Sequence, residues 1–221
     1  TDQRDEAKEC LRNAIQVNPD VADIHNNLGA LFYADEFFEE SIKCFKKAIE
    51  IDPKLADIYN NLGNAFKDTE LFEEAMKSYE KAIELDPNSA EIHNNFGSLL
   101  SENLSRHDDA IISFKKAISL DLYFYPAHLN LGHTFVALNQ YESAVEAYKS
   151  TITIKPDLGN ILGNLLNAKM NCCNWEKYNS LLNIKNIKKE FLDGKKVIAP
   201  FFLLSLIDDP ALQRKATEIK V

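Results

Sequence analysis

Five asparagines recur at nearly constant spacing: Asn27, Asn61, Asn95, Asn130 and Asn164 lie 34, 34, 35 and 34 residues apart. A carboxamide carries two N–H donors and an acceptor oxygen, so it can pair with both the C=O and the N–H of a peptide main chain. One such hydrogen bond contributes only about 0.5–1.5 kcal/mol net. A column of them in register adds up to a grip on an extended chain that ignores side chains. Three further asparagines, Asn26, Asn60 and Asn94, stand beside the first three, and this second column lapses at Leu129 and Gly163. The competing reading is that each carboxamide bonds to a neighbouring turn of the protein itself.

Such columns need a scaffold with the same period. Each asparagine of the first column is followed by Leu or Phe, and in four of the five cases then by Gly: Gly29, Gly63, Gly97 and Gly132, with Leu166 in the fifth. A fixed period of this length signals a helical solenoid whose unit is a pair of helices. In the first unit Ile24, Leu28 and Phe32 share a face of the first helix, and Ser41, Phe45 and Ala48 share a face of the second. A helix-interior Gly costs about 1 kcal/mol relative to Ala. Its return at one phase implies that the facing helix comes too close for a Cβ. Ala48, Ala82 and Ala117 serve the same approach from the second helix, and Phe45, Tyr79, Phe114 and Tyr148 fill the gap between units. Pro53, Pro87 and Pro156 end the second helices. The third unit has one residue more between Leu100 and Ala110 than the second has between Phe66 and Ala75, and the exposed inter-helix turn is its expected place.

These positions resemble tetratricopeptide (TPR) repeats over about residues 5–185. The resemblance implies an all-α fold, a right-handed TPR superhelix (α-α solenoid) with a C-terminal helical linker. Residues 1–21 are expected to be the second helix of a truncated repeat, 22–158 four TPR units, 159–186 a degenerate fifth, and 187–221 the linker. In such a superhelix the first helices line the concave face, and the first Asn column is expected to face that groove. The start at Thr1, without a methionine and with an unpartnered first helix, reads as a piece of a longer protein.

A narrower resemblance lies downstream. Cys173-Asn174-Trp175 with Tyr178, then Pro200-Phe201-Phe202-Leu203-Leu204, then Asp208-Asp209-Pro210-Ala211-Leu212-Gln213, resemble the junction in O-GlcNAc transferase-type glycosyltransferases. There a TPR superhelix leads into a two-lobed catalytic region. The resemblance implies that this chain recognises protein substrates through an Asn ladder, and that 187–221 leads toward a catalytic region absent from it. The ladder residues are Asn27, Asn61, Asn95, Asn130 and Asn164, with Asn26, Asn60 and Asn94 beside them. The cofactor reading follows: none in this chain, and a UDP-sugar donor for the missing region. No catalytic, cofactor-binding or metal-binding residue is assigned, so the chain alone is not an enzyme. The alternative is a stand-alone TPR adaptor or scaffold. An adaptor that clamps acidic C-termini needs Lys or Arg where Asn26 and Asn60 stand, which disfavours that type.

Composition sets the remaining bounds. The 221 residues carry a net charge of −9 with 45% hydrophobic content. That balance argues against nucleic acid, which attracts a basic face. The longest apolar run, Val197–Ile207, is too short to span a bilayer and contains Pro200. The four cysteines have no CxxC spacing and read as reduced thiols of a cytoplasmic or nucleocytoplasmic protein. Partners are expected to be proteins or peptides in extended conformation, with no membrane, and with a homodimer through the superhelix also admitted. Asp23, Asp57 and Glu91 suit either a basic peptide or, by preference, the helix N-terminus. His25, His93 and His128 are too far apart to share a metal and are assigned to inter-helix packing; His107 and His133 form no constellation.

Overall fold

The computed structural model describes residues 2–172, and the elements there are helices joined by short turns, with no strand among the described residues. They fall into two compact units, one ending at Leu122 and the other beginning at Tyr123. In unit 1, α1 (Asp2–Val17) precedes three helix pairs. These are α2 (Ala22–Ala34) with α3 (Phe38–Ile51), α4 (Ala56–Asp68) with α5 (Phe72–Leu85), and α6 (Ala90–Ser98) with α7 (His107–Leu120). Each second helix also packs on the first helix of the next pair, α3 on α4 and α5 on α6, and α1 packs on α2 in the same way. In unit 2, α8 (Tyr125–Ala137) pairs with α9 (Tyr141–Ile154), which packs on α10 (Ile161–Asn171).

The repeated glycines have the packing cause that their phase implies. A Cβ on Gly63 would stand 2.7 Å from Cε1 of Tyr79, and on Gly97 the same distance from Phe114. On Gly29 it would meet Phe45 at 2.7 Å, and on Gly132 it would meet Tyr148 at 2.5 Å. The ring belongs to the second helix of the same pair, so it lies on the glycine rather than merely between pairs. Tyr79 does both, its ring also reaching Phe96 of the next pair at 6.3 Å between centroids. Ala48, Ala75, Ala82, Ala110, Ala117 and Ala144 are fully buried around these rings. Ser41 takes the phase of Ala75 and donates its hydroxyl to the Gly29 carbonyl at 2.8 Å, which makes the buried oxygen acceptable.

Three inter-helix turns share one construction. The N–H groups of Phe37, Leu71 and Gln140 reach the carbonyls of Phe32, Phe66 and Phe135 at 2.9, 2.9 and 2.8 Å. The residue before each is left-handed: Glu36, Glu70 and Asn139 have φ of 63, 61 and 56°. This is the Schellman ending, which serves the last carbonyls of a helix. The third turn departs from it. The additional residue is not placed in the exposed turn but absorbed by a π-helical stretch, Leu99–Asn103, at the end of α6. One residue more per turn keeps the backbone groups bonded, with the Leu104 N–H on the Leu99 carbonyl at 3.2 Å. It also leaves Leu99 and Leu100 in the core at 0 and 1% exposure.

At one position of the α1–α2 junction a charge stands where later pairs have an apolar side chain. Lys8 stands where later second helices have Ile42 and Met76, and its ammonium meets Asp35 at 2.7 Å while Arg4 meets the same carboxylate at 2.9 Å. The hydrogen bond from Lys8, then that from Arg4, hold the Asp35 carboxyl below its ordinary value. Arg12 lies 5.6 Å from the Phe32 ring centroid, and Lys46, one period later, lies 5.6 Å from Phe66.

Opposite changes at two positions test this packing. Gly63→Ala overpacks the Tyr79 contact and should lower unfolding free energy by about 1–3 kcal/mol. Glu70→Gly relieves a left-handed non-glycine residue in an exposed turn and should raise it by up to about 1 kcal/mol. Urea titration of both variants reads the two signs, and a stability gain for Gly63→Ala would exclude the close approach.

A second expectation concerns alkali. Burial pushes the Tyr148 phenol up to about 12, and burial is also the first cause of the rise at Tyr79. An unfolded tyrosine ionises near 10. Between those values the folded chain keeps a proton that the unfolded chain has lost. Stability is therefore full below about pH 10 and falls as pH rises toward 12, by at most ~1.4 kcal/mol per pH unit for each such group. Tyr148→Phe should make that slope shallower in denaturation curves collected from pH 9 upward.

Candidate functional site

Asparagine is a poor residue for a helix interior, because its side chain competes for backbone groups. The first column nevertheless sits mid-helix: Asn27 on α2, Asn61 on α4 and Asn95 on α6 in unit 1, Asn130 on α8 and Asn164 on α10 in unit 2. In unit 1 these first helices meet one another, α2 with α4 and α4 with α6, along a seam distinct from the second-helix layer. Asn27 is exposed, while Asn61 and Asn95 are half-buried.

The two columns are joined across that seam. Asn61 donates from Nδ2 to Oδ1 of Asn26 at 3.1 Å, and Asn95 does the same to Asn60 at 3.1 Å. Asn95 in turn accepts from Nδ2 of Asn94 at 3.4 Å. These carboxamides therefore bond to one another, two of the three pairs across helices rather than to a neighbouring turn, and Asn61 keeps its second N–H and its oxygen. Asn26 is half-buried, but Asn60 and Asn94 are only 4 and 6% exposed. Those two lie beneath the surface rather than open to a ligand.

Other side chains tie the far end of the same helices. Tyr79 donates its hydroxyl to Oδ1 of Asn64 at 2.6 Å, Tyr33 donates to the Asp68 carboxylate, and Ser98 donates to Glu102 at 3.1 Å. Burial, then the Asp68 carboxylate, raise the Tyr33 phenol well above its ordinary value. Asp23, Asp57 and Glu91 are exposed in the first turns of α2, α4 and α6.

In unit 2, Asn130 and Asn164 are half-buried. The Asn164 amide meets Nε2 of His133 at 3.1 Å, and the His133 ring rests edge-on against Tyr148 at 5.7 Å. The sequence offered no constellation for His133, yet it occupies the role that Asn26 and Asn60 play in unit 1. The signal was its place on the first helix preceding Asn164. His25 and His93 face the Pro19 and Pro87 carbonyls from Nε2 at 2.8 and 3.0 Å, so that nitrogen carries the proton and donates across the preceding loop. Among the described residues no group of three or more His, Cys, Asp or Glu could hold a metal ion. No described helix is long and apolar enough to cross a membrane. Cys10 and Cys44 are free thiols, and burial raises that of Cys44. The junction motifs from Cys173 to Gln213, the second helix of the degenerate fifth repeat and the linker lie outside the described residues.

No curated protein matches the chain. Among solved structures it is similar to MamA, with 25% identity, a TM-score of 0.66 and coverage of 78% of this chain and 93% of that one. YrrB, described as a TPR protein with an unusual peptide-binding site, has 19% identity and a TM-score of 0.63, with 96 and 100% covered. PilF of Pseudomonas aeruginosa has 17% identity and a TM-score of 0.68, with 99 and 100% covered. The last two likenesses concern the fold alone. Models of the tetratricopeptide repeat match residues 56–89, 78–112 and 125–158, and a TPR repeat model matches 3–35 and 38–69. Together these matches span well over half of the sequence. With the paired helices and the ring-on-glycine packing, they show that the chain belongs to the tetratricopeptide repeat family.

Proposed function

We propose that the chain is a recognition module whose unit 1 holds the main chain of an extended peptide along the seam of α2, α4 and α6. The observation that carries this reading is Asn61, half-buried on the seam with one N–H committed to Asn26. Its second N–H and its oxygen remain, and a peptide unit presents the complementary C=O and N–H. Asn95 retains one donor and one lone pair in the same way. Exposed Asn27 extends the row, and in unit 2 Asn130 and Asn164 form a shorter set of their own.

The main chain is what such rungs contact, so the affinity is modest and many sequences are tolerated. Protein partners fit the net charge of −9 better than nucleic acid does. The peptide-binding description of YrrB agrees with this use of the fold. The finer reading places the module in an O-GlcNAc transferase-type glycosyltransferase whose UDP-sugar donor binds elsewhere. It rests on the sequence motifs between Cys173 and Gln213, and its alternative is a stand-alone adaptor. A reading frame that continues past Val221 into an α/β catalytic region favours the enzyme; a stop codon there favours the adaptor.

A short, uncharged, fluorescein-labelled peptide of Ser, Thr, Val and Pro tests the ladder by fluorescence anisotropy. The double variant Asn61→Ala/Asn95→Ala should bind it about tenfold more weakly. A copy of the peptide methylated at its backbone nitrogens should lose affinity for the parent protein in the same way. Removing Asn95 also strips buried Asn60 of its donor, so a loss of about 1 kcal/mol in stability accompanies the change. Undiminished binding by a folded double variant excludes the ladder.

A further inference from the structure

We infer that the second asparagine column is a positioning layer that gives the ladder a direction, so that a peptide is held in one N-to-C orientation. This rests on the ladder reading above. A lone Asn side chain turns about two torsions, and its nitrogen and oxygen ends are nearly equal in size. Left to itself, each rung would flip, and a row of flipping rungs would take a peptide either way round.

Three rungs are not left to themselves. Asn61 and Asn95 point their nitrogen ends at the preceding first helix, onto Asn26 and Asn60, each at 3.1 Å. Donor and acceptor are one period plus one residue apart, 35 positions in both cases. In unit 2 the second column has Leu129, which offers no side-chain acceptor, and there the amide of Asn164 turns to His133 of the preceding first helix at 3.1 Å. The acceptor changes from carboxamide to imidazole while the backward direction of the rung stays. With the nitrogen end anchored backward, Asn61 and Asn95 present their oxygens with the same sense along the seam. A peptide main chain is itself polar, so a row of like-oriented rungs matches it in one direction and mismatches it in the other.

Burial separates the roles. Asn60 is 4% exposed, so it acts on a ligand through Asn95 rather than by contact. The chain also supplies the apolar replacement for a test. Leu129 holds the phase of Asn26, Asn60 and Asn94 in α8, where it packs against the core of its own repeats.

The experiment compares the parent with Asn26→Leu/Asn60→Leu, using the same uncharged peptide in two further copies, one with a nitroxide at its N-terminus and one at its C-terminus. In the parent, one nitroxide should broaden the side-chain amide signal of Asn27 and the other that of Asn95. In the double variant, affinity should fall about 3- to 10-fold, and each nitroxide should broaden both signals alike. Parental affinity with a single retained direction in the folded variant overturns the positioning role, as does a parent that shows both directions. If binding also survives Asn61→Ala/Asn95→Ala, it is the ladder itself that fails, which is a different result. Should the leucine pair melt early, Asn26→Ala at its half-buried place carries the same measurement for the Asn61 rung.

Discussion

The contact on which the structure depends is an aromatic ring lying on a bare helix. The first helices α2, α4, α6 and α8 each omit one Cβ, and the ring of the paired second helix takes the space, at separations no side chain would allow. That contact fixes how closely two helices of a pair approach. The ring of Tyr79 then carries the constraint forward to Phe96 of the next pair. Because the same device recurs with the sequence period, successive first helices of unit 1 are brought to the same mutual placement. Only then can an asparagine on one helix reach an asparagine on the previous one at the same distance twice.

Much of this was legible because the device is periodic. The phase of Gly29, Gly63, Gly97 and Gly132 implied a close approach, and the aromatic residues that make it, Phe45, Tyr79, Phe114 and Tyr148, were visible at a matching phase. Helix limits followed from Pro53, Pro87 and Pro156. The inserted residue of the third repeat was harder. Spacing shows that one residue is added but not whether a turn or a helix takes it up, and the burial of Leu99 and Leu100 favours the helix. The left-handed turn residues were invisible for another reason: Glu36 and Glu70 occupy a position where glycine or asparagine is the usual signal.

For the site, the columns were legible and their coupling was not. Spacing within a column is one period, but the bonds run between columns at one period plus one. That offset has no meaning until two first helices are known to lie side by side. The division of roles between neighbours such as Asn60 and Asn61 was equally hidden. Adjacent residues on a helix differ by about 100° in direction, so one enters the interface between helices while the other stays at its margin. Asn60 is accordingly buried and Asn61 half-buried, although the two are chemically identical.

Neutral carboxamides suit this seam for a reason that charge or apolar packing would not satisfy. Leucine at every position would bury more apolar surface but leave no donor to meet a main chain. Lysine or glutamate would supply donors or acceptors of one kind, each with a desolvation penalty when half-buried, and would select partners by charge. A carboxamide carries both functions without net charge, so one end can be tied to the protein while the other still serves a ligand. The tie to Asn26 or Asn60 removes one degree of freedom from a group that would otherwise have to be ordered by the peptide itself. In the proposed binding mode, the entropy of fixing the rung is then met during folding rather than binding. In the proposed ladder, the buried second column thus contributes to recognition energetically even where no ligand reaches it.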